Sequence, residues 1–138
     1  MSAMGLLDDL LRKCEGTEKT IVLPEGQDRR VAEAALTVAK RELANVVVLA
    51  TAEEADASMD GLSYEGYNVR VVDYLQSEHR DALAQRLYDK RSHRGMTLDE
   101  AKEAVKDRLY FGNLMVDAGM ADGLVAGSVA STPDMLRA

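Results

Sequence analysis

Short runs of consecutive apolar residues alternate with longer segments in which apolar residues return every three or four positions. Leu6, Leu7, Leu10, Leu11 and Cys14 recur at helical spacing and predict an amphipathic opening helix, ended by Gly16. Thr20-Ile21-Val22-Leu23 is β-branched, apolar and stopped by Pro24, the signature of a buried strand. Asp28 caps a predicted helix from Arg29 to about Leu43, with Val31, Ala35, Val38 and Ala39 on its apolar face. Val46 to Ala50 reads as a second buried strand. Thr51 then caps a short helix, with Glu54 in the capping-box position.

Residues 57–68 are rich in Gly, Ser, Asp, Asn and Tyr and read as loop, and Val69 to Val72 as a third strand. Ser77 is the expected cap of a long helix from Glu78 to about Ser92, with Leu83, Leu87 and Tyr88 inward and Gly95 as its breaker. Thr97 and Glu100 form a capping box, so a further helix starts near Leu98; Gly112 and Gly119 blur its end. Gly123 to Gly127 is a fourth apolar strand. Apolar strands alternating with helices predict an α/β fold, three-layer α/β/α with a largely parallel sheet. The pattern leaves the strand order open.

Composition narrows the class. Seventeen basic against 24 acidic residues give a net charge of −7, the wrong sign for a nucleic-acid binder that works by counterion release. Tryptophan is absent and there is one Phe, so aliphatic side chains must build the core. Cys14 is the single cysteine, which excludes an internal disulfide and suits a reducing, cytoplasmic setting. It lies on the apolar face of the opening helix and reads as a packing residue. Residues 1–16 lack the pattern of a secretory signal, and no run approaches the length of a membrane span. His79 and His93 have no partners at ligand spacing, so no metal is expected. Neither a P-loop nor a GxGxxG motif occurs.

Three segments carry candidate chemistry. After the fourth strand comes a small-residue loop with Ser128, Ser131 and Thr132. Thr132-Pro133-Asp134 then reads as a helix start, and Arg137 falls in its first turn. Such a loop at a strand's carboxyl end suits an anion, and it equally suits a well-capped connection with a solvated arginine. Arg86, Lys90, Arg91, His93 and Arg94 gather basic charge toward a helix carboxyl end. Arginines there can bind phosphate bidentately, or stabilise the helix dipole by about 0.3–1 kcal/mol each with no ligand at all. Pro24-Glu25-Gly26-Gln27-Asp28 follows a strand and either lines a crevice or simply turns into a helix cap.

Four segments, in order, resemble the phosphate acetyl/butyryl transferase family. They are Ile21 to Glu25 with Asp28-Arg29-Arg30, Tyr88 to Thr97, Asp107 to Gly112, and Asp122 to Gly127 leading to Ser131 to Arg137. The resemblance implies acetyl transfer between CoA and phosphate, with CoA or acetyl-CoA as a substrate and no permanently bound cofactor. Its partners would be CoA, phosphate and acetyl phosphate, plus a second copy of the chain in a dimer. It implies Arg91 and Arg137 as contacts to CoA or phosphate, with Ser128, Ser131 and Thr132 as the hydroxyl loop of the cleft. No catalytic residue is expected here: the general base and oxyanion-stabilising groups of the family lie in a region with no counterpart in these 138 residues. Residues 1–138 are therefore expected to be the truncated first domain of a two-domain enzyme, ending one residue after Arg137. Removal of a covering domain would favour self-association. Phosphate butyryl transfer, or a stand-alone module that binds CoA or a partner, are the competing expectations.

Overall fold

The computed structural model describes residues 18–126. The opening helix, the Ser128–Thr132 loop and Arg137 lie outside them. Strand β1 spans Thr20–Leu23, helix α1 Arg29–Lys40, strand β2 Asn45–Leu49 and helix α2 Ala52–Ser58. Strand β3 spans Val69–Val72 and helix α3 Arg80–Arg91, followed by a single 3₁₀ turn at Ser92–Arg94. Helix α4 is Leu98–Ala104, helix α5 is Arg108–Asp117 and strand β4 is Gly123–Leu124.

All pairings are parallel, in the order β3-β2-β1-β4. Alternate side chains face opposite layers, as the pleat requires. Ile21, Leu23, Val46 and Val48 pack with Ala35 and Val38 of α1. Val22, Val47 and Leu49 face the other way, against Leu83 and Leu87 of α3, Ala101 of α4, and Phe111 and Met115 of α5. Two covered faces explain the uninterrupted apolar strands. Phe111 is the largest fully buried side chain, and its burial contributes about 1.5–3 kcal/mol. The expected three-layer α/β arrangement is thereby realised.

Local signals account for most boundaries. Asp28 Oδ1 accepts the Arg30 N–H at the start of α1. Capping boxes at Thr51/Glu54 and Thr97/Glu100 open α2 and α4. Asp107 caps α5 by accepting the Leu109 and Tyr110 N–H groups. Gly119, at φ +78°, closes α5 in a Schellman turn, with Met120 N–H bonded to the Met115 carbonyl at 2.9 Å.

Four boundaries differ from the sequence reading. The first helix stops at Lys40, because Glu42 turns to φ +54° and Leu43 begins the approach to β2. The third helix starts at Arg80, two residues later than expected. Ser77 Oγ accepts the His79 N–H in a tight turn, and His79 makes no side-chain cap. The region after Leu98 is two helices, with Gly112 inside the second. β4 is only two residues long, pairing Gly123 and Leu124 with Ile21 and Val22.

Candidate functional site

The order of the strands creates one distinctive place. From β1 the chain steps outward through β2 to β3, then returns over α3, α4 and α5 to lay β4 on the opposite side of β1. The winding direction therefore reverses between β1 and β4. In open α/β sheets such a reversal opens a crevice beyond the carboxyl ends of the strands, where ligands sit. Among the described residues its wall is the Pro24–Asp28 loop after β1.

The Pro24–Asp28 loop is held from several sides. Gly26 N–H donates to the Leu49 carbonyl at 3.0 Å, and Ser58 Oγ donates to the Gly26 carbonyl at 2.6 Å. The contact admits only glycine: a Cβ at Gly26 would lie 2.4 Å from the Leu49 carbonyl oxygen, an atom that cannot rotate away. Glu25 is buried beside it.

Arg108, in the first turn of α5, joins the strand ends together. Its Nη1 donates to the Pro24 carbonyl at 3.4 Å and to Gln27 Oε1. Its Nη2 donates to Glu54 Oε2 at 2.5 Å and to the Tyr74 hydroxyl at 2.8 Å. The guanidinium carbon stands 4.9 Å from the Tyr74 ring centroid. One side chain thus binds the segments after β1, β2 and β3. Glu54 serves twice, since its Oε1 accepts the Thr51 N–H in the α2 capping box. Burial pushes the Glu54 carboxyl up, but the Thr51 N–H and the Arg108 guanidinium outweigh it, and the net shift is downward. Burial raises the Tyr74 phenol, a shift that Arg108 opposes.

The basic segment is largely occupied by protein partners. Arg86 Nε and Lys90 Nζ both meet the Asp117 carboxylate, each at 2.6 Å. Hydrogen bonds from Lys90 and then Arg86 hold that carboxyl below its usual range. Arg91 Nη1 reaches the Tyr110 hydroxyl at 3.4 Å, with the guanidinium 5.6 Å from the ring centroid. His93 and Arg94 are exposed in the 3₁₀ turn. Arg91 thus meets the first turn of α5 at Tyr110, two residues from Arg108, yet the two arginines share no hydrogen-bond partner among the described residues. Among the same residues no three His, Cys, Asp or Glu side chains gather to hold a metal ion. No helix there is long and apolar enough to cross a membrane.

Comparison with known proteins adds the decisive observation: the model of the phosphate acetyl/butaryl transferase family matches residues 5–138. The chain belongs to that family. Phosphate acetyltransferases from Thermoanaerobacterium thermosaccharolyticum and Acetivibrio thermocellus are each 40% identical over 134 residues, covering 97% of this chain and 40% of theirs. The EutD phosphotransacetylase from Staphylococcus aureus superimposes with a TM-score of 0.81 at 32% identity, over 99% of this chain and 41% of the other. The chain therefore spans about two fifths of the length of these family members.

Within this family member, sequence reasoning left the Pro24–Asp28 loop open between a crevice wall and a turn into a helix cap, and picked out Glu54 as a capping-box residue. It did not pick out Arg108 or Tyr74. The sequence signs of Arg108 are an arginine directly after a helix-capping aspartate, which any surface helix can show, and its place in the Asp107–Gly112 segment of the family resemblance, which assigned it no role. Of the residues expected at the cleft, the described part contains Arg91 alone.

Proposed function

We propose that the protein carrying these residues interconverts acetyl-CoA and phosphate with acetyl phosphate and CoA, and that residues 1–138 supply the first α/β domain of its cleft. The reading is carried by family membership along nearly the whole chain. The switch point between β1 and β4 supplies a place for the ligands. In the synthetic direction the CoA thiol loses its proton to a base, and the sulfur attacks the acetyl carbonyl. A carbon–sulfur bond forms, the carbon–oxygen bond to phosphorus breaks, and phosphate leaves with the electron pair. The base and the oxyanion donors come from outside residues 1–138. This chain contributes binding: Arg91 and Arg137 toward the phosphate groups of CoA or free phosphate, and Ser128, Ser131 and Thr132 as hydroxyl donors at the end of β4. The enzyme works in the cytoplasm without a bound cofactor, as a dimer.

The test is an assay of the protein expressed from its complete reading frame. Acetyl phosphate and CoA should yield the thioester absorbance of acetyl-CoA, and phosphate should release CoA from acetyl-CoA. Butyryl phosphate, longer by two methylenes, should be the poorer substrate, since each methylene is worth about 1–3 kcal/mol in a pocket. A folded protein that transfers neither acyl group would overturn the assignment.

A further inference from the structure

We propose that Gln27 contacts the ligand, presenting a side-chain N–H to a phosphate oxygen at the crevice beyond β1, and that Arg108 is the positioning residue that fixes it in this orientation. The inference rests on the acetyl-transfer reading above and adds two residues to its binding apparatus.

The chemistry of the two groups decides the orientation. A guanidinium has donors only, so the amide atom facing Arg108 Nη1 must be Gln27 Oε1. The amide is planar, and tying down its oxygen directs the NH₂ group elsewhere. Among the described residues Nε2 has no hydrogen-bond partner. Among those residues the half-buried amide thus keeps two unmatched donors while its oxygen is engaged by Arg108, which suits an oxygen-rich, donor-poor ligand such as a phosphate. The charge of Arg108 is already opposed by Glu54 at 2.5 Å, so Arg108 itself is poorly placed to act as the anion receptor.

The backbone beneath Gln27 is held as a preorganised site requires. Gly26 is bonded through both its N–H and its carbonyl, to Leu49 and Ser58. Asp28 N–H donates to the Glu25 carbonyl at 3.0 Å, and Arg108 reaches the Pro24 carbonyl. Every residue from Pro24 to Asp28 is therefore anchored, and the loop stands at the switch point where a ligand of this fold is expected. Phosphate oxygens reach such a site from two sources, inorganic or acetyl phosphate on one hand and the phosphates of CoA on the other.

Gln27→Glu separates ligand binding from structure. A glutamate keeps the contact with Arg108, now as an ion pair, but replaces the N–H donors with a negative charge. In the full-length enzyme its thermal melt should be unchanged or higher. KM for the phosphate-bearing ligand should rise roughly 10- to 100-fold, the worth of one hydrogen bond to a charged group, with little change in kcat. KM measured separately for acetyl phosphate, phosphate, CoA and acetyl-CoA assigns the source. Gln27→Met removes the donors without adding charge, and should show a smaller rise even if the glutamate variant folds poorly. Arg108→Lys keeps Glu54 paired but cannot reach Gln27, Pro24 and Tyr74 together. It should raise the same KM, and add nothing further on the Gln27→Met background. Folded Gln27→Glu and Gln27→Met enzymes with wild-type KM for all four substrates overturn the proposal. A wild-type enzyme without acetyl transfer overturns the functional reading itself, before any variant is made.

Discussion

Glu54 and Arg108 lie 54 positions apart in the chain and meet at 2.5 Å, tying the segment after β2 to the start of α5. The pair is partly shielded, with both side chains no more than a quarter exposed. Its strength should depend on pH in a definite direction. The Glu54 carboxyl titrates below its ordinary value of 4.5 in the folded protein. Its contribution is therefore complete above that value and is lost as pH falls through the lower, folded value. Glu54→Gln should cost about 1.5–3 kcal/mol at pH 7, the range for a hydrogen bond to a charged group. The difference from wild type should shrink in urea titrations as pH drops from 4.5 toward 3. An unchanged difference at pH 3 would show that the charge plays no part.

Gly112 makes a second long-range test. It sits inside α5, where alanine would ordinarily improve helix stability by about 1 kcal/mol. A Cβ there would lie 2.7 Å from Leu124 Cδ1 and 3.4 Å from Val22 Cγ1. β4 is held to β1 over only two residues, so Leu124 is the atom group that must give. Gly112→Ala should therefore destabilise by about 1–3 kcal/mol despite the better helix propensity. Leu124→Val on the same chain should recover part of the loss, because it removes the colliding methyl. Additive effects of the two substitutions in a double-mutant cycle would contradict the close approach.

These two contacts mark where the sequence stops being informative. The strands were readable because both faces of the sheet are covered, so Ile21-Val22-Leu23 and Val46-Val47-Val48-Leu49 had to be apolar throughout. Caps at Asp28, Thr51 and Thr97 were readable because their partners lie two or three residues away. Ser77 misled for a related reason: a serine before a helical pattern satisfies the capping rule, but here its oxygen is used in a preceding turn. Nothing local encodes β4 lying beside β1. The partners of Arg108 are 34 to 84 positions distant, so its role emerges only once the sheet has assembled. The family resemblance was legible because it rests on whole segments in order, and it pointed to Arg91 without its Tyr110 contact.

Tyr64 should report on the packing of α1. Its hydroxyl donates to the Ala32 carbonyl at 2.8 Å, and burial pushes the phenol up to about 12, against a smaller lowering effect of Arg29. The neutral form is favoured in the folded state. Its stabilising contribution is thus fully present below pH 10 and lost as pH rises from 10 to about 12. In an ultraviolet titration of the five tyrosines, one should ionise near 12, and that step should vanish in Tyr64→Phe. The substitution should also cost about 1 kcal/mol at neutral pH through the orphaned Ala32 carbonyl. If all five tyrosines ionise together near 10, the hydroxyl is not held against α1.

Whether these 138 residues bind CoA by themselves can be measured directly. Calorimetric titration of CoA into the purified chain, beside an Arg91→Ala, Arg137→Ala variant, separates two arrangements. If the first domain carries its own half of the site, the chain should bind weakly and the double variant should lose roughly tenfold or more in affinity, since each arginine–phosphate contact is charge-assisted. The Arg91→Ala change alone should leave the melt close to wild type, because its contact with Tyr110 is long, at 3.4 Å. Measurable and equal affinity of wild-type and double-variant chains would remove both arginines from the CoA site, whereas binding by neither would show that the site needs residues beyond these 138. Equal affinity would leave the Ser128, Ser131 and Thr132 hydroxyls and the Pro24–Gln27 loop as the proposed contacts of these residues with the substrate.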